Sequence, residues 1–428
     1  MGEASISGLP TVALATLGCK VNQAESEEIA DSFAKAGFQR VEFGEKADVY
    51  VINTCTVTHI ADRKSRQLVR QARCLNDRAL VVATGCYAEV APERIAELAH
   101  VDLVIGNGDK RRLVEAVLGA CPDAQRAQAL PPLRSRTRAF VKVQDGCDSF
   151  CTYCIVPHAR GRQRSETPEK VVAVVRQRVG EGCREVVLTG VHVGAYGRDL
   201  AAASATRLPD PDPGKQWTAP AASGDPGEPE DLTPELLALW RAFPHRLCRH
   251  FHLPLQSGSD GVLRRMGRRY GAAAYRDLVR RVREAVPGAA ITTDLMVGFP
   301  GETEDEFAES YRFVSGLGLA GAHVFRYSPR PGTAAARLAG RVAAPVAKQR
   351  SEEMLALATA MATRFRMAFV GQTLPVLYEE EVATPHGARW TGLTDNYIRV
   401  YVQSEEPLAN QVRQTRLVGP ALDGLAGL

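Results

Sequence analysis

The chain has 428 residues, which is enough for two or three domains that each bury a core of their own. Hydrophobic residues make up 45% of the chain and charged residues 24%, and this composition excludes a wholly disordered protein. The net charge of +4 excludes a polybasic chain that attracts nucleic acid through its overall charge, so a nucleic-acid site has to arise from local clusters.

The amino-terminal part, residues 1–121, predicts an open parallel α/β domain. Hydrophobic runs alternate with helix-length segments, which is typical of parallel strands joined by helices. One helix is predicted for residues 25–36, because Gly37 follows it. Residues 122–138, which contain three prolines, predict a linker. The predicted strands are residues 12–16, 48–53, 80–84 and 101–105.

The central part, residues 139–368, predicts a partial (β/α) barrel. Basic helical stretches such as residues 275–285 separate the strand patterns, as in a parallel barrel. Residues 201–230 interrupt this pattern with seven alanines and six prolines, a composition that disfavours a helix or a central strand. We therefore expect residues 201–232 to be irregular. The predicted strands are residues 140–143, 185–189, 250–255, 291–297 and 322–327.

The carboxyl-terminal part, residues 369–428, predicts a small β-barrel. Short β patterns at residues 375–378, 397–402 and 412–417 alternate with Gly, Asn and Pro, which favour turns. From residue 371 onward the chain has four arginines, no lysine and seven acidic residues. This local net charge of −3 predicts that the module as a whole attracts phosphate weakly.

The sequence also predicts a cytoplasmic protein that does not associate with a membrane. No apolar run reaches the roughly 18–20 residues that a membrane helix needs. The first residues, M-G-E-A-S, lack the basic and apolar segments of a secretion signal. In a reducing compartment, clusters among the ten cysteines indicate metal binding or catalysis rather than disulfides.

One set of cysteines, here named the loop cysteines, is the C-x3-C-x2-C run of Cys147, Cys151 and Cys154 directly after a predicted strand. Three thiolates on one loop are able to hold three irons of a 4Fe–4S cube and leave the fourth iron open for an exogenous ligand. The alternative is a structural zinc site in which His158 is the fourth ligand. The spacing and its context favour the iron–sulfur cluster.

A second set, here named the edge cysteines, is Cys19, Cys55 and Cys86, each of which follows a predicted parallel strand by one to three residues. The carboxyl ends of parallel strands line one crevice where ligands bind, so we expect these thiolates to meet there. The alternative is three unrelated core cysteines, and the presence of the loop cysteines favours a second cluster. The cysteines predicted to be structural are Cys74, Cys121, Cys183 and Cys248.

Three groups of motifs resemble the methylthiotransferase branch of radical S-adenosylmethionine enzymes over nearly the whole chain. The first comprises T-L-G-C-K-V-N at residues 16–22, N-T-C at residues 53–55 and T-G-C-Y at residues 84–87. The second covers residues 144–162, and the third is G-L-T-D-N-Y at residues 392–397, which resembles the RNA-binding TRAM domain. The motif variants are most similar to enzymes that act on threonylcarbamoyladenosine in tRNA. Relatives that act on isopentenyladenosine in tRNA or on a ribosomal protein are the alternatives.

The resemblance implies two 4Fe–4S clusters and S-adenosylmethionine as cofactors. The loop cysteines would hold the cluster that binds S-adenosylmethionine and yields a 5′-deoxyadenosyl radical, and the edge cysteines would hold a cluster that delivers sulfur. The implied reaction adds a methylthio group to carbon 2 of threonylcarbamoyladenosine next to the anticodon. The implied partners are the anticodon loop of tRNA and an electron donor such as flavodoxin or ferredoxin. The sequence identifies neither the sulfur source nor a catalytic residue.

Seven further residues are predicted to bind the cofactor. Tyr153 lies between two loop cysteines, where an aromatic ring is able to cover an adenine. The others follow barrel strands at the face where sites gather, and Gly190 permits close approach of the backbone. The alternatives are loop packing for Tyr153 and ordinary turns for the later residues. The predicted cofactor-binding residues are Tyr153, Thr189, Gly190, Gln256, Ser257, Gly298 and Glu302.

Arginine clusters near these motifs are candidates for phosphate contacts around an anticodon loop. The clusters are Arg134, Arg136 and Arg138; Arg160, Arg162 and Arg164; and Arg264, Arg265, Arg268 and Arg269, with Arg389, Tyr397 and Arg399 as candidates in the β module.

The resemblance fails between residues 197 and 234, where the family has a helix and a barrel strand. A missing strand would leave backbone groups of its neighbours unpaired, so an inactive RNA-binding relative with a damaged barrel is a further alternative.

Overall fold

The computed structural model describes residues 9–98, 100–121, 130, 137–200, 231–384 and 387–428. The chain divides into two compact units. Unit 1 consists of Met1–Arg134, Asp145–Arg164 and Ser328–Thr333, and unit 2 consists of Ser135–Gln144, Ser165–Tyr327 and Ala334–Leu428. Most of the predicted linker and the predicted irregular segment up to residue 230 lie outside the described residues.

Unit 1 contains a five-stranded parallel sheet in the order β2-β1-β3-β4-β5. The strands are β1 (Thr11–Thr16), β2 (Gln39–Val41), β3 (Val49–Thr54), β4 (Leu80–Gly85) and β5 (Leu103–Ile105). The helices are α1 (Lys20–Lys35), α2 (His59–Leu75), α3 (Cys86–Val90), α4 (Pro92–Ala96) and α5 (Leu113–Ala120), with a 3₁₀ turn at Lys110–Arg112. The predicted open parallel sheet is confirmed, although β2 has no counterpart in the prediction.

Both faces of this sheet are buried, which explains the continuous hydrophobic character of its strands. On one face Val51 of β3 packs in the same cluster as Phe33 of α1. On the other face Ile52 of β3 packs in the same cluster as Val69 of α2. The helices therefore cover the faces of the sheet and leave the carboxyl ends of the strands as the edge at which loops gather.

The chain enters unit 1 a second time at the loop cysteines. Strand β6 (Arg138–Lys142) belongs to unit 2, and β7 (Gln144–Asp145) leads from it into unit 1. The cysteine loop continues into α6 (Val156–Arg160) and leaves through β8 (Arg164–Ser165), which pairs with β7. The loop cysteines and the edge cysteines consequently belong to the same compact unit.

Unit 2 contains two parallel sheets of barrel strands, β6-β9 and β10-β11-β12. The remaining strands are β9 (Glu185–Thr189), β10 (His250–His252), β11 (Ala290–Val297) and β12 (Gly321–Arg326). The helices are α7 (Pro168–Gly180), α8 (Pro234–Ala242), α9 (Asp260–Arg265), α10 (Ala272–Ala285), α11 (Glu304–Leu317) and α12 (Ala344–Met367), with 3₁₀ turns at Val193–Ala195 and Ala334–Arg337. Among the described residues no strand joins β9 to β10, so the barrel strands form two separate sheets there.

The carboxyl-terminal part of unit 2 is a closed β-barrel in the order β13-β14-β15-β17-β16, as predicted. Its strands are β13 (Thr373–Thr384), β14 (Gly387–Thr394), β15 (Arg399–Val402), β16 (Gln411–Ala421) and β17 (Gly424–Gly427). No strand was predicted at β14 or at β17. A Cβ added to Gly424 would lie 2.2 Å from the carbonyl oxygen of Arg399, so glycine is needed for the two strands to approach.

Within the described part of the chain, no helix has both the length and the apolar character needed to cross a membrane.

Candidate iron–sulfur and cofactor site

The edge cysteines lie at the carboxyl edge of the unit 1 sheet, where the sequence places them. Cys19 directly precedes α1, Cys55 directly follows β3, and Cys86 is the first residue of α3 after β4. In sheets of this strand order, the ligand crevice opens between β1 and β3, where the order of the strands reverses. Cys55 and Cys86 are buried. Cys19 is the exposed member of the set.

The edge cysteines follow neighbouring strands, because Thr16 pairs with Asn53 across β1 and β3, and Thr54 pairs with Gly85 across β3 and β4. A Cβ added to Gly18, whose φ is +98°, would lie 2.8 Å from Sγ of Cys55, so the turn before Cys19 closes over Cys55. Burial raises the pKa of the Cys55 thiol to about 12; a backbone N–H opposes this rise, and the nearby thiols of Cys86 and Cys19 add to it. A metal cluster binds thiolates, so its insertion would displace these protons.

Asn107, which follows β5, connects the edge cysteines to the helix after the loop cysteines. Its Nδ2 donates to the carbonyl oxygen of Ala159 at 2.6 Å and lies 3.8 Å from Sγ of Cys86. Its backbone N–H donates to the carboxylate of Glu89 at 2.7 Å. An amide donor on a ligand sulfur is one means by which proteins tune iron–sulfur clusters. Asn107 was not predicted from the sequence, although its position after a strand at the same edge was a usable signal.

The loop cysteines lie on a turn that is held by its own backbone. The N–H of Cys147 donates to the carbonyl oxygen of Gly161 at 3.2 Å, and the N–H of Cys154 donates to that of Cys151 at 2.9 Å. The N–H of Ser149 donates to Sγ of Cys147 at 3.4 Å. All three loop cysteines are partly exposed, whereas His158, the fourth ligand of the zinc alternative, is exposed on α6.

Arg160 of α6 lies at the centre of a buried polar network between the two cysteine sets. Its guanidinium donates to Oε1 and Oε2 of Glu25 at 2.9 and 3.1 Å, and to Oδ1 of Asn22 at 2.5 Å. It also donates to Oδ1 of Asp145 at 2.9 Å. Burial opposes its charge, but the Cys86 thiol and the two carboxylates keep the pKa of Arg160 well above its ordinary value. A permanent cation therefore lies beside the edge cysteines.

A second cation, Lys110, joins this network. Its Nζ donates to the carboxylate of Glu25 and to Oδ1 of Asn53, the latter at 3.2 Å. Burial lowers the pKa of Lys110, and the Glu25 carboxylate opposes this shift. The two cations share Glu25, and Arg160 also contacts Asp145, so two cations and two carboxylates balance within this network.

A separate buried ion pair holds the loop after Cys55. Nη2 of Arg330 donates to Oγ1 of Thr56 at 2.6 Å and to Oδ2 of Asp62 at 2.8 Å. Oγ1 of Thr56 in turn donates to Oδ1 of Asp62 at 2.7 Å. The segment after Cys55 is therefore fixed to the first turns of α2 by three charged or polar contacts.

Unit 1 holds both sets of cysteines that the sequence predicts as cluster ligands. In the described part of the chain, no three His, Cys, Asp or Glu side chains converge closely enough to hold one metal ion. A 4Fe–4S cube binds each thiolate through a different iron, so it needs thiols that are neighbours without converging on one point. The binding of a second cluster by the edge cysteines stays a prediction.

In unit 2 the predicted cofactor residues Thr189 and Gly190 lie at the carboxyl end of β9. The carbonyl oxygen of Thr189 accepts from the N–H of Val143 at 2.8 Å. A Cβ added to Gly190 would lie 3.0 Å from Cβ and 3.1 Å from the backbone oxygen of Gln144, so a larger residue would crowd this strand. His192, which follows, is buried with Nε2 2.8 Å from Oδ2 of Asp231 and was not predicted.

The later predicted residues lie in tightly held turns. Gln256 is buried with a φ of +71°, and such strained residues concentrate at functional sites. Oγ of the neighbouring Ser257 accepts from the N–H of Ser259 at 3.2 Å. Tyr153 is half-buried in the cysteine loop of unit 1. The roles of these residues in cofactor binding stay predictions.

Glu302 stabilises the turn that begins at Gly298. Its Oε2 accepts from the N–H of Gly298 at 2.7 Å and from Nη1 of Arg350 at 2.9 Å. Burial raises the pKa of Glu302, and these two donors oppose the rise. The carboxylate is thus engaged by protein donors, and cofactor binding through this turn stays a prediction.

Several arginines predicted to contact phosphate form ion pairs within the chain. Arg160 is buried as described, the partly buried Arg138 pairs with Glu185 at 2.7 Å, and the partly exposed Arg265 pairs with Glu306 at 2.6 Å. The prediction was wrong for Arg160, because the sequence shows its charge but not the distant carboxylates, and for Arg138 and Arg265 it stays a prediction. The exposed members of the clusters are Arg162, Arg164, Arg264 and Arg269, while Arg134 and Arg136 lie outside the described residues.

Tyr397 of the β module also makes contacts within unit 2, and its contact with RNA stays a prediction. Its ring stacks on His250 with centroids 4.3 Å apart, and its hydroxyl donates to Oε1 of Glu185 at 2.5 Å. Nearby, Arg249 donates to Oδ2 of Asp395 at 2.6 Å. The G-L-T-D-N-Y motif therefore attaches the β-barrel to the rest of unit 2.

Two family models match the chain. The model described as Uncharacterized protein family UPF0004 matches residues 11–106 and includes the edge cysteines. The model of the Radical SAM superfamily matches residues 141–314 and includes the loop cysteines. The second match implies S-adenosylmethionine and a 4Fe–4S cluster as cofactors.

Curated relatives match nearly the whole chain. Threonylcarbamoyladenosine tRNA methylthiotransferase MtaB of Bacillus subtilis is 36% identical, over 96% of this chain and 94% of the relative. This chain belongs to the radical S-adenosylmethionine methylthiotransferase family. Another family member, MtaB of Thermotoga maritima, is 35% identical over 93% of this chain and 91% of its own length. The tRNA-2-methylthio-N(6)-dimethylallyladenosine synthase of Sorangium cellulosum is 36% identical over 91% of this chain and 86% of its own length.

Among solved structures, the radical S-adenosylmethionine methyltransferase TsrM of Kitasatospora setae has a TM-score of 0.49 and 16% identity, over 73% of this chain and 72% of that chain. A likeness at this level adds nothing to the family assignment.

Proposed function

We propose that this chain adds a methylthio group to carbon 2 of threonylcarbamoyladenosine beside the anticodon of tRNA. Two sets of three cysteines in one compact unit carry the proposal, because a methylthio transfer needs both a radical source and a sulfur source. The identity of 36% to an enzyme named for this reaction supports the choice of base. A relative named for dimethylallyladenosine is also 36% identical, so the choice between the two bases rests on the motif variants around the cysteines.

In this proposal the loop cysteines hold one 4Fe–4S cluster and the edge cysteines hold a second. When bound, the clusters and S-adenosylmethionine supply the radical, the sulfur and the methyl group. The protein supplies the positions of the thiolates: Gly18 lets the Cys19 turn close over Cys55, and Arg160 links the two sets. The residues proposed to bind S-adenosylmethionine are Tyr153, Thr189, Gly190, Gln256, Ser257, Gly298 and Glu302.

The proposal also assigns the parts of the chain. Residues 1–121 form the cluster domain, residues 122–138 a linker, residues 139–368 the radical core, and residues 369–428 the RNA-binding β module. The partners are tRNA and a one-electron donor such as flavodoxin or ferredoxin. We place the reaction in the cytoplasm, where tRNA is modified, and expect no association with a membrane.

Mass spectrometry of tRNA nucleosides tests the proposal, in a host that lacks this modification and expresses the chain. We expect methylthio-threonylcarbamoyladenosine only when the wild-type chain is present. Cys147→Ala is expected to abolish both this product and the production of 5′-deoxyadenosine. Cys19→Ala is expected to abolish the product while 5′-deoxyadenosine is still formed.

Other results would replace the proposal. Methylthio-isopentenyladenosine or a methylthiolated ribosomal peptide would assign a different target. No product from iron-loaded protein, beside a working homologue as control, would identify an inactive RNA-binding relative. Zinc in place of iron in protein purified without oxygen would contradict the cluster assignment.

A further inference from the structure

Helix α2 in unit 1 carries an exposed basic face. Arg63, Lys64 and Arg70 are exposed, and their spacing places them along one side of the helix. Ile60, which is 50% exposed, continues the same side toward the amino-terminal end. Val69 lies on the other side, buried against the sheet. The exposed side is therefore a continuous surface with apolar and cationic parts.

The positive charge of this surface is not neutralised by the helix itself. The single carboxylate of α2 is that of Asp62, which is buried and paired with Arg330. The cations Arg63, Lys64 and Arg70 form no ion pair with any residue that the structure describes. The other two arginines of α2 differ, because Arg66 donates to the hydroxyl of Tyr87 and Arg73 pairs with Asp102.

The basic face begins at the edge of the sheet that holds the edge cysteines. Helix α2 starts four residues after Cys55, and Arg63 and Lys64 lie in its first two turns. The amino edge of the sheet is the opposite edge, where the exposed Lys46 and Arg78 precede β3 and β4. Arg63 and Lys64 therefore lie nearer the edge cysteines than Lys46 and Arg78 do.

We propose that the exposed face of α2 binds the phosphate backbone of the tRNA whose base reaches the edge cysteines. Cations at helical spacing with no carboxylate between them are complementary to a row of phosphates. The β module, with a net charge of −3 from residue 371 onward, offers little attraction of this kind. Val57 and Ile60 add exposed apolar surface beside the cations, which is typical of an interaction site. The choice of RNA as the partner rests on the proposed function.

The test compares two matched pairs of substitutions in the cluster-loaded, full-length protein. One variant is Arg63→Gln with Lys64→Gln, and the control is Lys46→Gln with Arg78→Gln, so each removes one Arg and one Lys charge from an exposed position of unit 1. Fluorescence anisotropy measures binding of an anticodon stem-loop that carries threonylcarbamoyladenosine, over a series of salt concentrations. Iron content and the melting temperature check that all proteins are folded and loaded.

We expect the α2 variant to bind the stem-loop about tenfold more weakly and to lower the salt slope of log Kd by about two, one for each phosphate contact. The control should bind as the wild type does. Equal binding by the α2 variant and the wild type would overturn the proposal, and so would equal losses in both variants, which would reveal a general charge effect. If the α2 variant bound the stem-loop normally but was reduced more slowly by an acidic electron-transfer protein, the surface would belong to that partner and the proposal would be overturned. If the wild type bound the stem-loop no better than an unrelated hairpin, the proposed function itself would fail.

Discussion

Both terminal nitrogens of Arg160 contact the carboxylate of Glu25, at 2.9 and 3.1 Å, although 135 residues separate the two positions in the chain. The Arg160 side chain is 1% exposed and that of Glu25 is 5% exposed. A fork-shaped guanidinium on a carboxylate fixes orientation as well as distance. This contact therefore sets how the helix after the loop cysteines lies on the helix after Cys19.

Replacement of Arg160 should destabilise unit 1. Arg160→Gln is expected to lower the free energy of unfolding by about 3–5 kcal/mol, because it leaves buried carboxylates without their cation. Arg160→Lys should lower the free energy of unfolding by less, since it keeps the charge but not the bidentate guanidinium contact. Chemical denaturation followed through cluster absorbance measures both. The control is Arg162→Gln, whose side chain is 78% exposed and which should change stability by less than about 0.5 kcal/mol. Equal stability of Arg160→Gln and Arg162→Gln would contradict the role assigned to Arg160.

Replacement of Gly18 should prevent the edge cysteines from holding a cluster. In Gly18→Ala the new Cβ would lie 2.8 Å from Sγ of Cys55, and the φ of +98° favours glycine. Iron content should fall to the amount that the loop cysteines hold alone, while 5′-deoxyadenosine production persists. Gly44→Ala is the matched control, because its Cβ would meet nothing within 4 Å. Full iron loading of Gly18→Ala would show that the edge cysteines do not need this turn.

Replacement of Tyr397 separates attachment of the β module from RNA contact. Tyr397→Phe keeps the stack on His250 but removes the hydrogen bond to Glu185. We expect the free energy of unfolding to fall by about 1.5 kcal/mol, as for a hydrogen bond to a charged group. Affinity for the anticodon stem-loop should be unchanged. Weaker RNA binding at unchanged stability would instead support the sequence-based prediction that Tyr397 contacts RNA.

The pH dependence of stability should change when Glu302 is replaced. Burial raises the pKa of Glu302 above its ordinary value of 4.5. At pH values just above 4.5 the folded state therefore binds a proton that the unfolded state does not, so this residue adds stability as the pH falls through that range. Glu302→Gln lacks this gain. The difference in unfolding free energy, wild type minus variant, should therefore rise as the pH falls from neutral toward 4.5. Urea titrations of both proteins measure it, and a difference that shrinks over this range would contradict the direction of the pKa shift.

The placement of the edge cysteines could be predicted from sequence because it follows from strand direction alone. Parallel strands end at one edge, so residues just after Thr16, Thr54 and Gly85 must lie at that edge. The start of α1 at Lys20 rather than residue 25 could not be predicted, because Cys19 caps the helix without a side-chain hydrogen bond. The usual cap signal is therefore absent.

The burial of Arg160 illustrates what the sequence could not show. In the sequence it is the first residue of R-G-R and resembles its exposed neighbour Arg162. Only the fold brings it to Glu25 and Asn22, which lie more than one hundred residues earlier. Local charge patterns predict phosphate contacts only where the surrounding carboxylates are also known. In helix α2 the one carboxylate, that of Asp62, is paired with Arg330 and does not neutralise the exposed cations of the helix.

Unit 1 is assembled from three separate stretches of chain, and this has a consequence for its biosynthesis. Asp62 and its partner Arg330 are 268 residues apart. At about 5–20 residues per second, the ribosome adds Arg330 on the order of ten seconds or more after Asp62. During that interval the segment after Cys55 lacks the cation that holds it. A truncated chain that ends before Ser328 would therefore never gain the contact that Arg330 makes with Asp62.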